Sequence, residues 1–182
     1  MARLVLVRHG RPAAVFGDHP DPGLAPEGRD QARAMAEAVA PLGPLPIVTS
    51  SLRRTRETAA ALEERWGLEA RVEPAVAEIP SPGGDPAARV SWLRGVLSGR
   101  WADLDPALRR WRDELVAWLV ARPGDGVVVT HFVAINVAVG AATGDDAVVG
   151  FRPGHCSRTV VEVVGAALRL VERGHEADTV VG

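Results

Sequence analysis

Two short apolar runs, Leu4 to Val7 and Gly126 to Val129, each give way abruptly to polar residues that include a histidine. The first runs into Arg8-His9-Gly10 and the second into Thr130-His131. Runs this short, rich in β-branched residues and bounded by breakers, fit buried strands of a parallel sheet. In open α/β sheets the carboxyl ends of the strands form the crevice where ligands bind. A histidine at such an end, with an arginine before it and a permissive glycine after it, is placed for chemistry. Taken by itself, Leu4 to Gly10 also fits a strand that simply stops at polar residues.

The rest of the chain alternates in the same sense. Pro26 to about Ala40 has helical spacing of Ala32, Met35, Ala36 and Val39, with proline near its first turn. Pro46 to Thr49 is a second strand, and a second helix opens near Ser50 and ends at Trp66-Gly67. Ala70 to Val72 is a modest strand. Ala87 to about Ser98 and Pro106 to Ala121 are helical, the latter with an apolar stripe of Leu108, Trp111, Leu115, Trp118 and Leu119. A nearly all-apolar helix follows His131. Ser157 to Val164 and Ala167 to Arg173, joined at Gly165-Ala166, form an antiparallel pair. The order is β-α-β-α-β, a helical insertion at about 80–104, then β-α-β-β. It implies a single α/β/α domain of three layers over residues 1–182. Its sheet is mostly parallel, with five or six strands and an antiparallel edge near the C-terminus. Residues 174–182 are expected to be a loose tail.

Composition narrows the function classes. A chain of 182 residues, 47% hydrophobic and 24% charged, can bury one good core. A net charge of -2 gives no global field to draw in nucleic acid or an anionic membrane. Every one of the 21 basic residues is arginine, which carries little functional weight beside the positions some of them occupy. Cys156 is the only cysteine, so neither an intramolecular disulfide nor a cysteine-based zinc site can form. Arg8 interrupts the first apolar run too early for a signal-peptide core or a membrane span, which makes a cytoplasmic location the default.

Arg8-His9-Gly10 after an N-terminal apolar strand resembles the signature of the histidine phosphatase superfamily, the phosphoglycerate mutase-like proteins. Three more segments resemble that family in the expected order. Ser50-Ser51-Leu52-Arg53-Arg54-Thr55 is similar to the serine-led turn that delivers an arginine, here Arg54, to a phosphate. Ala77-Glu78-Ile79 is similar to the segment carrying the proton donor, here Glu78, with Glu73 as rival. Thr130-His131 is similar to the second-histidine motif. The resemblance implies His9 as nucleophile, Glu78 as acid, His131 beside them, and Arg8 and Arg54 as phosphate-binding groups. It implies no cofactor and no metal, and a phosphorylated small molecule as substrate, with a phosphoprotein and a homodimer left open. Phosphatase chemistry is favoured over a mutase because family mutases are generally longer. A non-catalytic phosphate-binding module is the remaining alternative. A two-histidine metal hydrolase fits poorly, because Arg8 and Arg54 beside the histidines would repel a cation.

The chain departs from that pattern at four places. Arg11 stands where Glu, Gln or Asn is common, followed by Pro12, which biases Arg11 towards extended backbone. Arg11 then either reaches the pocket rim as a further substrate-binding charge or pairs with Asp18 or Asp21. Phe132 and Val133 replace glycines and are expected to narrow the pocket or shift the helix. Ala25 stands where a capping hydroxyl is often found. His155-Cys156-Ser157 falls where the family often has an asparagine near the site. Cys156 beside His155 suggests a thiol nucleophile, but with no orienting acid nearby a buried, inert thiol is favoured.

Overall fold

The computed structural model describes residues 1–14 and 19–177. Six strands form one sheet in the order β3-β2-β4-β1-β5-β6. They are β1 (Ala2–Arg8), β2 (Ile47–Thr49), β3 (Arg71–Val72), β4 (Gly126–Thr130), β5 (Arg158–Val164) and β6 (Ala167–Glu172). β4 pairs in parallel with both β1 and β2, and β2 with β3, whereas β5 runs antiparallel to β1 and to β6. The helices are α1 (Pro26–Val39), α2 (Arg53–Trp66), α3 (Pro86–Leu97), α4 (Pro106–Val120) and α5 (Phe132–Thr143).

The three layers follow from the two-residue period of the strands. Val5, Val7, Ile47, Val127 and Val129 face one way, onto Ala32, Met35 and Val39 of α1 and Ala59 and Leu62 of α2. Leu4, Leu6, Val128 and Val161 face the other way, onto Leu115 and Leu119 of α4 and Phe132, Ile135 and Val139 of α5. The central strands are buried on both faces, which is why their sequences are continuously apolar rather than alternating. Each such side chain is worth roughly 1.5–3 kcal/mol of burial.

α1 begins at Pro26 with Glu27 in its first turn, and Ala25 supplies no side-chain cap. Gly28 on this helix lies against the loop after β1. A Cβ on Gly28 would stand 2.2 Å from the Arg11 carbonyl oxygen, and one on Gly10 would stand 2.5 Å from that of Gly28. Two glycines thus let backbone pack on backbone at the floor of the site. The expectation of a loose tail is corrected for its first part. Gly174 donates to Thr159 Oγ1 at 3.3 Å, Gly154 donates to the His175 carbonyl at 2.9 Å, and Ala177 donates to that of Arg152 at 3.1 Å. Residues 178–182 lie outside the described residues.

Candidate active site

Parallel pairing brings three strand ends to one edge. Arg8 is in register with Thr130, and Val129 with both Val7 and Thr49. His9, Ser50 and His131 follow directly, and the rings of His9 and His131 have centroids 5.3 Å apart. Both rings are buried, at 2% and 0% exposure. The first turn of α2 then carries Arg54 across this edge. Its Nε lies 3.2 Å from His9 Nε2 and its Nη2 lies 3.4 Å from His131 Nδ1.

These contacts fix the protons. His9 Nδ1 is 2.8 Å from the Gly10 carbonyl oxygen, which can only accept, so Nδ1 carries the hydrogen. Nε2 is left with its lone pair facing Arg54. In His131 the Arg54 guanidinium occupies Nδ1, so Nε2 carries the hydrogen and donates to Ser50 Oγ at 2.8 Å. Ser50 Oγ also accepts from the Leu52 N–H at 3.2 Å and passes its own hydrogen to Thr55 Oγ1 at 2.7 Å. Thr55 in turn donates to the Leu52 carbonyl. Burial depresses the pKa of His9 well below the ordinary histidine value, with His131, Arg54 and Arg8 adding to it. His131 is depressed likewise by burial, Arg54 and Arg8. Both imidazoles are neutral in the free site.

Arg8 is completely buried, and burial brings its pKa to about 10, so it keeps its charge. Nη1 donates to the Pro153 carbonyl at 2.9 Å, while Nε and Nη2 find no partner among the described residues. Its guanidinium lies over the Phe132 ring, 5.2 Å from the centroid. Phe132 therefore forms the platform under Arg8 rather than a narrower wall. Glu78 completes the set. Its carboxylate accepts from the Ile79 N–H at 3.0 Å and from the Val133 N–H at 3.2 Å, at the start of α5. Thr130 Oγ1 donates to the Val76 carbonyl at 2.6 Å, tying the end of β4 to the segment that carries Glu78. Burial raises the Glu78 pKa above 4.5, against opposing contributions from the Ile79 and Val133 amides and from Arg54 and Arg8. Glu73, the rival, pairs with Arg71 at 2.7 Å and points to a different task.

Arg11 is not a free charge at the rim. Its Nη1 is paired with Glu27 Oε2 at 2.6 Å on the outside of α1, both side chains being more than half exposed. Of the anticipated partners, Asp21 accepts the Arg53 N–H at 2.8 Å instead, and Asp18 lies outside the described residues. Glu27 was overlooked as a partner because it lies beyond the facing loop, yet Gly10 and Gly28 bring α1 within reach. Cys156 is buried, and burial pushes its thiol up to about 12, which makes it inert. Ser50 and Thr58 were missed as site residues. Thr58 Oγ1 accepts the Gly10 N–H at 2.9 Å and donates to the Arg54 carbonyl at 2.7 Å, so it couples the two loops. Only their positions at the end of β2 and one turn beyond Arg54 could have flagged them.

The family model for the histidine phosphatase superfamily, branch 1, matches residues 4–81. A mycobacterial glucosyl-3-phosphoglycerate phosphatase, solved in complex with inorganic phosphate, superposes with a TM-score of 0.75 at 26% identity, covering 97% of this chain and 98% of that one. Residues 4–81 thus match the histidine phosphatase superfamily, and the chain as a whole shares the fold of that phosphatase. Among curated relatives, the glucosyl-3-phosphoglycerate phosphatase of Mycolicibacterium vanbaalenii is 34% identical over 115 residues, 55% of this chain and 50% of that protein. A probable phosphoglycerate mutase of Serratia proteamaculans is 32% identical over 121 residues, 64% of this chain and 50% of that protein. The chain thus spans about half the length of these curated relatives. Among the described residues no group of three or more His, Cys, Asp or Glu side chains is placed to hold a metal ion, and no helix is long and apolar enough to cross a membrane.

Proposed function

We propose that this chain is a histidine phosphatase superfamily member that hydrolyses phosphate monoesters of small molecules through a phosphohistidine on His9. The observation that carries this is the tautomer of His9. The Gly10 carbonyl holds the hydrogen on Nδ1 and leaves a neutral, unprotonated Nε2 facing Arg54. Arginine forks suit phosphate oxygens, and the unpaired Nε and Nη2 of Arg8 are donors waiting for acceptors. An incoming phosphoryl group would draw Arg54 off His9 Nε2 and free the lone pair for attack. The P–N bond forms as the ester P–O bond breaks, and the proton of Glu78 passes to the departing alcohol oxygen. Water then attacks phosphorus, gives its proton to the Glu78 carboxylate, and releases inorganic phosphate as the P–N bond breaks. A bound dianion favours the charged form of His131, whose Nδ1–H then joins Arg8 and Arg54 in stabilising the equatorial oxygens.

The test is hydrolysis of an aryl phosphate in excess EDTA, with acid quench to trap acid-labile phosphoenzyme. Turnover that persists with chelator and labels His9 supports the proposal; chelator-sensitive turnover, or none on any ester of a broad panel, defeats it. Glucosyl-3-phosphoglycerate heads that panel because relatives carry its name. Return of the phosphoryl group to a second hydroxyl would make the same intermediate serve a mutase. Product analysis with 3-phosphoglycerate and a bisphosphate primer separates the two.

A further inference from the structure

One side chain at this edge has no part in the chemistry above. His155 lies between β4 and β5 in sequence, on the turn that closes over Arg8, and its ring centroid is 5.9 Å from that of His9. Its Nε2 is buried and finds no hydrogen-bond partner among the described residues. The turn is held tightly to the Arg8 segment. Cys156 donates to the Arg8 carbonyl at 3.0 Å, Arg8 donates from its backbone to the Ser157 carbonyl at 3.3 Å, and its Nη1 reaches Pro153. The Ser157 N–H closes the turn onto the Gly154 carbonyl at 3.1 Å. Cys156 sits there at a φ of 55°, a left-handed conformation that a residue with a Cβ adopts only when its surroundings impose it. His155 is therefore held beside His9 by a rigid, strained turn, within electrostatic reach of Arg8, two of whose nitrogens also lack acceptors.

We propose that His155 is a substrate-binding residue, a neutral imidazole whose Nε2–H donates to a phosphoryl oxygen of the ester held by Arg8 and Arg54. The inference rests on the phosphatase reading. Burial, with Arg8 and Arg11 adding to it, brings the His155 pKa down to about 4, so the ring contributes a directed hydrogen bond rather than another charge. A neutral donor beside two arginines binds the phosphoryl group without adding to the repulsion that already depresses His9 and His131. It also orients the group, because an imidazole N–H points one way whereas a guanidinium accepts several poses.

Two substitutions test it. His155→Phe keeps a planar ring and removes the donor, and His155→Gln places an amide donor at about the reach of Nε2. With an aryl phosphate as substrate, H155F should raise KM about tenfold and weaken competitive inhibition by inorganic phosphate by the same factor, with kcat changing less. H155Q should stay within about threefold of wild type on the scale of one neutral hydrogen bond. Unchanged phosphate inhibition in H155F overturns the proposal, as does an H155Q variant as impaired as H155F, which would mark the ring as packing only. A measurement on the wild-type protein stands independent of folding in the variants. The imidazole 15N resonance of His155 Nε2 should move on titration with inorganic phosphate, and a resonance that stays put overturns the role. A wild type that neither hydrolyses the ester nor binds phosphate defeats the phosphatase reading itself, whereas an active wild type with an indifferent H155F defeats only the role of His155.

Discussion

His9 and His131 end neighbouring parallel strands and are both buried and neutral, yet different kinds of partner hold them. The proton of His9 is fixed by the carbonyl of the next residue, an acceptor that belongs to the backbone. That of His131 is fixed by a hydroxyl relay, Ser50 to Thr55 to the Leu52 carbonyl, made of side chains from another strand and helix. In the proposed mechanism His9 is the nucleophile and must present the same lone pair in every cycle, which a backbone carbonyl beside it enforces. His131, which in that mechanism gains and loses charge as the phosphoryl group comes and goes, is better served by a relay that can reorient. The two histidines look alike in sequence, each at the end of an apolar run; their partners separate their tasks.

Replacing each histidine by alanine should break the symmetry most visibly. His9→Ala is expected to lower aryl phosphate hydrolysis by at least about a thousandfold and to abolish the acid-labile phosphoenzyme, as loss of a nucleophile does. His131→Ala removes one charge-stabilising donor and should cost about a hundredfold while phosphoenzyme still forms. Rapid-quench labelling decides, and absence of label in both variants would erase the distinction.

Glu78→Gln sharpens the contrast by acting on the leaving group rather than on either ring. A lost general acid costs about a hundredfold or more on alkyl esters, and much less on aryl esters whose phenols leave with little help. Because burial raises the Glu78 pKa, the proton survives above pH 4.5, and the fall of the wild-type rate with rising pH should be absent in the glutamine variant. Comparable losses on both ester classes would assign Glu78 to holding the Val133 amide instead.

Ser50→Ala probes the relay alone. It leaves His131 Nε2–H in a buried site without its acceptor, a loss of about tenfold in kcat on the scale of one hydrogen bond. The amount of phosphoenzyme formed on His9 should be unchanged. A fall in that amount would show that the relay serves both rings.

What could be read from the chain beforehand follows the same division. The strand and helix order was legible from the apolar runs, and His9 and His131 stood out at the ends of two of them, but their roles came from the resemblance to a known family. Arg54 was legible through the resemblance of Ser50 to Thr55 to the family's serine-led turn, and the three arginines at the uncapped start of α2, which oppose its dipole, fit an anion there. Ser50, Thr55 and Thr58 were not, since a small hydroxyl at a strand end or inside a helix looks the same whether it relays a proton or faces water. For Arg11 the sequence left open the pocket rim or a pairing with Asp18 or Asp21, and Glu27 did not stand out because it comes close through the packing of Gly10 against Gly28, a long-range contact with no local pattern. The docking of residues 174–177 escaped for the same reason: it is made through backbone groups, which every residue type has.

Acid offers a gentler perturbation of the buried rings. His9, His131 and His155 all have folded-state pKa values below 6.5, so the unfolded chain binds more protons than the native state once the pH drops under that value. Stability should therefore decline as the pH falls from 6.5 towards about 4, where His155 itself takes up its proton. Glu78 acts oppositely, since its raised pKa costs stability as the pH rises above 4.5, but it is one group against three. Thermal melts across this window should show Tm falling with acid in wild type and falling less steeply in His155→Asn. Parallel slopes in the two proteins would mean that His155 is not neutral in the native state.

The smallest effect is expected at Arg11, and its smallness is informative. Arg11 lies only two residues beyond His9, and an unpaired guanidinium there would recruit substrates with a second anionic group. Instead it is engaged with Glu27 at 2.6 Å, and both side chains are largely in solvent. An exposed pair of this kind is worth roughly 0–1 kcal/mol, so Arg11→Gln should shift Tm little. Because Glu27 already neutralises the charge, kcat/KM should change by less than about threefold on the scale of a surface ion pair, and by the same factor for neutral and carboxylate-bearing phosphate esters. Glu27→Gln is the complementary variant: it unmasks Arg11 and should improve the carboxylate-bearing esters selectively, with the gain fading as salt screens the exposed charge. If Arg11→Gln alone selectively impairs the anionic esters, the ion pair yields to substrate, and Arg11 belongs with Arg8 and Arg54 rather than with the surface of α1.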